Sequence, residues 1–426
     1  MRNLQLLGVI LFFMGFLLAE QQPIPKEDAC IRCHKEMDEE QEEGQKLFPD
    51  ILNDIHLKRG LSCADCHGGD PEAFDDEDKA MWDNESFSGE VSRTDEIAMC
   101  GSCHSDPRFM RQYSTAIRTD QVKQYWTSKH GMELKRGNKK VAICTDCHGV
   151  HGILSVEDPR SPVYDMNVPS TCSNCHSNSD YMAEFGIPTD QYYKYRKSVH
   201  GEALLDNNDV GAPACNDCHG NHGAIPPDVS HISDICGTCH VNNDQLFQES
   251  HLKPIFVKRG FGQCEACHGN HEVLKPNDDF LNWEHGSVCV QCHEDKGGEA
   301  KIMADHFYTL LDSLKGQIAI ANSFVEKADQ KGMEVSDLLF PLEEAHKVLI
   351  QTRTSIHSFN KDYVEEIAKP GFEATKTAIE GGKAALAEFD FRRKGLFISS
   401  LIITFLALAL YLKIKDIDRK QSKDKS

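Results

Sequence analysis

All 18 cysteines of this 426-residue chain fall in nine copies of a single pattern, Cys-x-x-Cys-His. On a helical turn, residues i and i+3 share a face, and the histidine at i+4 lies one turn beyond the first cysteine. Two thiols in this arrangement can form thioether bonds to one side of a porphyrin while the imidazole binds its iron, which is how c-type haem is attached. The motifs therefore predict nine covalently attached haem c groups.

Each motif supplies two haem-binding cysteines and one histidine, which is the proximal iron ligand. The predicted haem-binding cysteines are Cys30, Cys33, Cys63, Cys66, Cys100, Cys103, Cys144, Cys147, Cys172, Cys175, Cys215, Cys218, Cys236, Cys239, Cys264, Cys267, Cys289 and Cys292. The predicted proximal histidines are His34, His67, His104, His148, His176, His219, His240, His268 and His293.

Three other chemistries use closely spaced cysteines. Disulfides are common in exported proteins, and structural zinc sites use paired Cys-x-x-Cys units, but neither requires a histidine after every second cysteine. A thioredoxin-like redox motif is expected within a βαβ pattern, and no such pattern surrounds these motifs. Haem attachment accounts for every cysteine and for the histidines that follow.

Three motifs carry a second histidine, in the sequences CTDCHGVHG, CNDCHGNHG and CEACHGNHE. These extra residues, His151, His222 and His271, each lie three positions after a proximal histidine. A side chain so close in sequence cannot easily reach the opposite face of the same porphyrin. We therefore expect each of them to bind the iron of a different haem, which would bring two porphyrins close together.

The extended motifs belong to an internal repeat. The segments Ser128–Gly131 (SKHG) and Ser198–Gly201 (SVHG) each precede an extended motif by about a dozen residues. Ser250–His251 is a slightly altered third copy, and His56 is a fourth copy without the serine. Plainer motifs alternate with these units, so the pattern predicts about four two-haem modules and one further haem.

A count of the remaining histidines supports iron with two histidine ligands. Nine irons need nine distal ligands, and nine histidines lie outside the motifs before residue 300. Some of them could instead be ordinary surface residues, and one of His306, His346 and His357 could replace an uncertain ligand. The predicted distal ligands are His56, His130, His151, His200, His222, His231, His251, His271 and His285.

The fold class follows from composition. Residues 20–296 hold few long apolar runs and many Gly, Asp, Asn and Pro, so side chains alone would bury too little apolar surface to offset the ordering entropy. We expect a mainly α and coil head whose core is packed with haem. Residues 297–392 contain no cysteine and have helical periodicity, which predicts an antiparallel bundle.

The pattern within the predicted bundle gives its helix boundaries. A first helix should end at Lys331–Gly332, and a heptad seam should run from Leu338 to Tyr363 and end at Pro370–Gly371. A third, weaker helix should then lead toward the membrane. The simpler interpretation of His306, His346 and His357 is that they are ordinary helix-surface residues.

Two apolar segments bear on localisation. Residues 1–19 resemble a cleaved signal peptide, although a retained anchor is an alternative. Residues 395–412 carry no charge and lie between basic flanks, which predicts a transmembrane helix over 393–412 and a cytoplasmic tail over 413–426. A buried core helix is the alternative for that segment. The haem domain would then lie on the periplasmic side of the cytoplasmic membrane.

Residues 28–296 resemble the c3-like multihaem cytochromes c with doubled Cys-x-x-Cys-His motifs, above all in SVHG and CNDCHGNHG. The resemblance implies electron transfer in anaerobic respiration. It also gives distal-ligand roles to the histidines of the SxHG and CHGxH positions, which are His130, His200, His251, His151, His222 and His271. The sequence departs from the family at the second motif, where Gly69–Asp70 stands in place of the later histidine.

We expect an electron-transfer subunit that works between a membrane quinone-reactive or cytochrome b partner and periplasmic redox proteins. The net charge of −21 argues against nucleic acid as a partner. The alternative is an enzyme that reduces or oxidises a small nitrogen or sulfur compound at one open haem. The sequence favours an electron-transfer protein without substrate chemistry of its own over this enzyme. A membrane haem sensor is a third class, but a 14-residue tail is too short for an output domain.

Overall fold

The computed structural model describes residues 28–40, 48, 50–82, 85–225, 232–293 and 298–423. Within these ranges the chain consists of helices and coil, with no β-strand. The predicted mainly α and coil fold class is therefore confirmed. The predicted signal peptide, residues 1–19, lies outside the described residues.

The chain divides into two compact units. Unit 1 comprises Met1–Asp228 and Gly269–Lys275, and unit 2 comprises Val229–His268 and Pro276–Ser426. Unit 2 therefore contains three of the nine motifs together with the helices that follow them. The domain boundaries expected from motif content and hydropathy stay predictions.

Short helices joined by coil make up the described part of unit 1. Its α-helices are α1 (Ala29–Glu40), α2 (Ile55–Lys58), α3 (Ala64–His67), α4 (Asp95–His104), α5 (Pro107–Met110), α6 (Gln121–Tyr125), α7 (Lys129–Lys135), α8 (Cys144–His148), α9 (Val168–His176), α10 (Ser179–Met182), α11 (Gln191–Arg196), α12 (Val199–Gly201) and α13 (Cys215–His219). Shorter 3₁₀ or π segments cover Asp50–Asn53, Asp78–Trp82, Ala183–Phe185 and Glu202–Asp206.

The sequence repeat is also a structural repeat. Ser128 caps α7, and Ser198 caps α12, because each hydroxyl accepts a hydrogen bond from the glycine N–H three residues later, at 2.9 and 3.0 Å. The tyrosine three residues before each serine is buried, and its hydroxyl donates to a backbone carbonyl just before the next motif. Each SxHG turn is thus fixed to the motif that follows it.

Unit 2 joins motif-bearing segments to long helices. Its described α-helices are α14 (Ile232–Gly237), α15 (Val241–Glu249), α16 (Leu252–Arg259), α17 (Glu265–His268), α18 (Glu299–Gln330), α19 (Ser336–Ser355) and α20 (Lys361–Lys423). Its 3₁₀ turns cover Asp278–Leu281, Trp283–His285, Val288–Gln291 and Ile356–Ser358.

Helices α18, α19 and α20 form an antiparallel three-helix bundle whose apolar core consists of two buried clusters. One buried cluster joins Leu314 of α18 to Val348 of α19, and a second joins Val325 of α18 to Leu342 of α19 and Ala378 of α20. The predicted end of the first helix is confirmed, because α18 ends at Gln330 and Gly332 has a φ of +73°.

The predicted helix end at Pro370–Gly371 is wrong, because α20 continues through both residues. The break comes earlier, at Phe359, whose φ is +50°. Gly371 lies where a Cβ would be 2.9 Å from Cγ1 of Val348, so the glycine serves close helix packing rather than termination. Packing on α18 and α19 outweighs the hydrogen bond that proline removes inside a helix.

The bundle helix α20 runs without interruption into the apolar segment. Of the described helices, this one is long and apolar enough to cross a membrane, and its most apolar stretch is not buried. Leu396, Phe405 and Leu410, for example, are exposed. One exposed apolar helix at this position is consistent with the predicted single span.

Candidate functional site

The motif cysteines and histidines lie on single helical turns, as their spacing predicts. In α8 and α13 the motif is the whole helix, and Asp146 and Asp217 accept hydrogen bonds of 2.8 Å from the backbone N–H groups of Ile143 and Ala214. These aspartates close the turn and keep both thiols on one face. In α4 and α9 the motif forms the last turn of a longer helix.

First cysteines of neighbouring motifs meet in pairs. Thiol–thiol hydrogen bonds link Cys100 with Cys144 and Cys172 with Cys215 in unit 1, and Cys236 with Cys264 in unit 2. In each pair the bond and burial raise the pKa of one thiol, which is Cys100, Cys172 or Cys264. Two motifs adjoin at every such contact.

Second cysteines lie near the motif on the other side. Burial raises the pKa of Cys147 to about 11, and the nearby thiols of Cys172 and Cys175 add to this effect. Burial also raises the pKa of Cys267 to about 11, and the nearby thiols of Cys289 and Cys292 add to this effect. Cys66 has the same relation to Cys100 and Cys103, whereas Cys30 and Cys63, which lie near each other, are both first cysteines of their motifs. Within each unit, motifs that follow one another in sequence are therefore also neighbours in space.

Six proximal histidines face a second imidazole ring, with centroid separations from 5.8 to 6.3 Å. A metal ion bound to both rings through bonds of about 2 Å needs a centroid separation of about 6 Å, once the half-widths of the rings are added. The pairs thus fit an iron between them. They are His104 with His56, His67 with His151, His176 with His130, His148 with His222, His219 with His271, and His268 with His357.

The pairs follow the repeat. A histidine at the CHGxH position faces the proximal histidine of the motif two places earlier in the sequence. His222 of the sixth motif, for example, faces His148 of the fourth. A histidine of the SxHG type faces the plain motif that follows its own module, as His130 faces His176. This is consistent with the expectation that the later histidine serves a different haem from its own motif.

His357 breaks the pattern in an informative way. It lies on the 3₁₀ turn between α19 and α20 and stacks opposite His268, with an interplanar angle of 18°. By the order of the repeat, the ring opposite His268 would be the CHGxH histidine of a tenth motif, and the sequence given has nine motifs. The bundle therefore supplies the residue that another repeat would have supplied. The sequence had offered His357 only as one of three alternatives.

The other predicted distal ligands have different surroundings. His200 lies in α12, at the position equivalent to His130 in α7. His251 packs edge-on against Phe359 at 6.5 Å. His285 ends a 3₁₀ turn, and His231 lies outside the described residues. Of the alternatives, His306 contacts Glu365 within the bundle, with Nε2 3.0 Å from the carboxylate.

Burial favours the neutral form of several paired rings, including His130, His148 and His357. It lowers the pKa of His148 to about 4, and the nearby His222 and His104 act in the same direction. Burial also lowers the pKa of His130 and His357. A neutral imidazole has a free nitrogen lone pair, which is the form that binds a metal.

The outer ring nitrogens of several paired histidines have fixed partners. Nδ1 of His67 lies 3.0 Å from the carbonyl of Gly89, and Nδ1 of His357 lies 3.0 Å from that of Thr354. Because a carbonyl can only accept, Nδ1 carries the proton in both rings, and the side-chain amide nitrogen of Asn243 lies 3.5 Å from Nε2 of His357. Such second partners orient metal-binding histidines and raise their basicity.

Comparison with known proteins supports this assignment. The family model of cytochrome c3 matches residues 55–177. These residues form a cytochrome c3-like domain. The c3-like domain contains the complete ring pairs of His56 with His104, His67 with His151, and His130 with His176. The predicted resemblance to multihaem c-type cytochromes is confirmed, and with it haem c as the cofactor class.

A distant relative extends the likeness beyond the c3-like domain. The chain is 23% identical over 223 residues to the multiheme cytochrome MtrA of Shewanella baltica (strain OS185). The match covers 50% of this chain and 52% of the relative, so the chain spans about half the length of the curated relative it matches. No solved structure matches the chain.

Proposed function

We propose that the protein is a membrane-anchored c-type cytochrome with nine haems, which relays electrons between a membrane quinone-reactive or cytochrome b partner and periplasmic redox proteins in anaerobic respiration. The observation that supports it most is the set of facing imidazole rings. Iron held between two imidazoles has no open coordination position, so it can exchange electrons but cannot bind a small substrate. The c3-like domain gives independent support for the cofactor.

The chain's residues would hold the cofactor in three ways. The two thiols of each motif would form the thioether bonds, the motif histidine would bind the iron, and in the six ring pairs the facing histidine would be the second iron ligand. Haem c bound in this way supplies one-electron redox chemistry with little change in ligand geometry. Fixed Nδ1 partners, as at His67 and His357, hold the ring planes and the tautomer.

Contacts between thiols favour a continuous row of sites in each unit. Motifs one to six of unit 1 and motifs seven to nine of unit 2 adjoin their sequence neighbours through cysteine contacts such as Cys66 with Cys100 and Cys267 with Cys289. Short steps between neighbouring sites are what a relay requires. A purely structural use of haem would not need the sites to follow one another.

The membrane partner follows from α20. This helix runs from Lys361, next to the His357 turn, to the apolar segment that begins near Gly395. Thirty-four helical residues at about 1.5 Å each extend about 50 Å, so the bundle is a long spacer between His357 and the bilayer. The apolar segment contains no histidine to hold a haem of its own. We therefore infer that a partner subunit brings electrons from the membrane to the haem sites.

Two measurements test the proposal. The mass of the mature protein should show nine attached haems, and the resting oxidised protein should show only low-spin haem by electron paramagnetic resonance. As a matched pair, His357→Ala should create one high-spin haem that binds carbon monoxide on reduction, whereas His346→Ala should leave all haems low-spin. Fewer than nine haems, or a high-spin signal in the wild type, would contradict the relay.

The end motifs support a second candidate function. In the described part of the chain, no second imidazole faces His34 of the first motif or His293 of the ninth. An open haem at either end would allow the protein to reduce or oxidise a small nitrogen or sulfur compound. Carbon monoxide binding by the reduced wild type, together with turnover of nitrite, hydroxylamine or tetrathionate, would favour this enzyme over the relay.

A further inference from the structure

We propose that Asp54 lowers the reduction potential of the haem bound by Cys100, Cys103 and His104, through its hydrogen bond to the distal ligand His56. The inference rests on the proposed function, since it takes His56 and His104 as ligands of one iron. It goes further in assigning a potential-tuning role to a residue that touches neither the iron nor the porphyrin.

The geometry isolates the interaction. Nδ1 of His56 lies 3.0 Å from Oδ1 of Asp54, and the His56 ring faces His104 at 6.0 Å. The Asp54 side chain is 9% exposed. The carboxylate can only accept, so Nδ1 of His56 carries the proton and Nε2 is left for the iron.

Other contacts hold the carboxylate in place. Oδ1 also accepts from the backbone N–H of His56 at 2.8 Å, and Oδ2 accepts from the backbone N–H of Ile153 at 2.8 Å. Ile153 lies two residues after His151, which faces His67. The Asp54 carboxylate therefore holds the backbone next to two predicted distal ligands, His56 and His151. Of these two imidazoles, it forms a hydrogen bond only with that of His56.

The repeat shows that the aspartate is a local departure. The backbone N–H groups of Ile55, Lys129 and Val199 donate in the same way to the carbonyls of Ile153, Ala224 and Val273, at 2.7 to 2.9 Å. These contacts align Asp54 with Ser128 and Ser198. The serine hydroxyls cap their helices and donate to backbone carbonyls, so they add no charge to the neighbouring histidine.

The contrast with other paired histidines sets the direction of the effect. His67, His219 and His357 direct Nδ1 at neutral backbone carbonyls, whereas His56 directs it at a carboxylate. A carboxylate draws the Nδ1 proton more strongly, which raises electron density at Nε2 and favours ferric over ferrous iron. The negative charge itself also favours the ferric state. Both effects lower the potential of this one haem relative to the others.

The test replaces Asp54 in the full-length holoprotein. Asp54→Ser restores the residue type found in the other copies of the repeat, and Asp54→Asn keeps the side-chain shape. In a spectroelectrochemical titration, we expect one-ninth of the haem absorbance to move to a higher potential. The expected shift is about tenfold in the ferric–ferrous equilibrium, which corresponds to about 59 mV for one electron. One low-spin resonance signal should change its g values in parallel.

Two controls separate the hydrogen bond from its surroundings. Asp106 lies two residues after His104, and its carboxylate caps α5 without contacting His56. Asp106→Asn should therefore leave the reduction potentials of the haems nearly unchanged. In a His56→Met background, Asp54→Asn should no longer alter the ligand's resonance signal, because the effect passes through the imidazole.

The outcomes distinguish this inference from the proposed function. If the wild type carries nine low-spin haems and both Asp54 variants retain them without any shift, the tuning role is wrong and the relay stands. An equal shift in Asp106→Asn would also overturn the role of the hydrogen bond. A wild type without a haem at Cys100–His104, shown by peptide mapping, would overturn both.

Discussion

The motif-bearing segments and the three-helix bundle build their interiors from different materials. In the bundle, apolar side chains from the helices pack into two buried clusters, one of which contains Leu314, Ile318 and Val348. In unit 1, the described apolar clusters are small and centre on Tyr125 and Tyr195. What lies between those clusters is the set of paired imidazoles and thiols. We therefore expect the bundle to fold on its own side chains and the motif segments to depend on what the motifs bind.

The largest expected effect is therefore that of haem itself. A full-length chain made in cells that cannot attach haem should lose most of the helix in residues 28–293, because too little apolar surface remains to offset the ordering entropy. Residues 299–389 should keep their helices. Hydrogen exchange with peptide resolution measures both regions in one sample, with the holoprotein as control. Equal protection of the motif segments with and without haem would contradict the comparison.

The two regions also differ in how much of their structure could be predicted from the sequence. The motif spacing is local chemistry, so the turns that carry the thiols could be predicted residue by residue. The repeat predicted that His151, His222 and His271 turn away from their own motifs, and the ring pairs have this arrangement. The ligand roles themselves stay predictions.

Two features could not be read from the sequence. The heptad pattern continues through Ile356 and Phe359, so it gave no sign of the break that places His357 opposite His268. Pro370 and Gly371 indicated a helix end, but tertiary contact with Val348 decides in favour of helix. In both cases a long-range contact overrides a local preference.

A cavity in the bundle core should have the next largest effect. Leu314 is fully buried between α18, α19 and α20, so Leu314→Ala should lower the free energy of unfolding of the bundle by about 2–5 kcal/mol. The exposed Leu339 is a matched control, and Leu339→Ala should change the free energy of unfolding of the bundle by less than about 0.5 kcal/mol. Urea unfolding followed by far-ultraviolet circular dichroism measures the bundle, and the haem absorption band reports the motif segments. A similar loss at both positions would contradict a side-chain core.

An ion pair joins a motif-side turn to the bundle within unit 2. Asp278 accepts hydrogen bonds from Lys315 at 2.9 Å and from Arg353 at 3.0 and 3.1 Å, and its side chain is 8% exposed. Asp278→Asn should destabilise unit 2 by about 1.5–3 kcal/mol, the range for hydrogen bonds to charged groups. Asp279→Asn, at an exposed neighbour, should have almost no effect.

The pH dependence of this ion pair gives a further check. Burial acts to raise the pKa of Asp278, but the hydrogen bonds from Arg353 and Lys315 outweigh it and leave the pKa below its usual range. The stabilisation should therefore be complete above the unfolded pKa of about 3.9 and disappear as the pH falls through the lower folded value. The difference in unfolding temperature between wild type and Asp278→Asn should vanish in acid. A constant difference at all pH values would exclude the ion pair as its source.

The smallest expected effect has the opposite sign and tests the packing of the bundle glycines. Gly316 lies inside α18, and no atom lies within 4 Å of the point where a Cβ would be added, so Gly316→Ala should stabilise the bundle by about 0.4–1 kcal/mol through the unfolded chain. Gly382 lies inside α20, where a Cβ would be 2.8 Å from Cβ of Phe324 and 3.1 Å from its backbone carbon. Gly382→Ala should therefore destabilise the bundle by about 1–3 kcal/mol, because the backbone of α18 would have to move. If both substitutions stabilised the protein, the helices would not be as closely packed as in this structure. The bundle would then lack the side-chain core that distinguishes it from the motif segments.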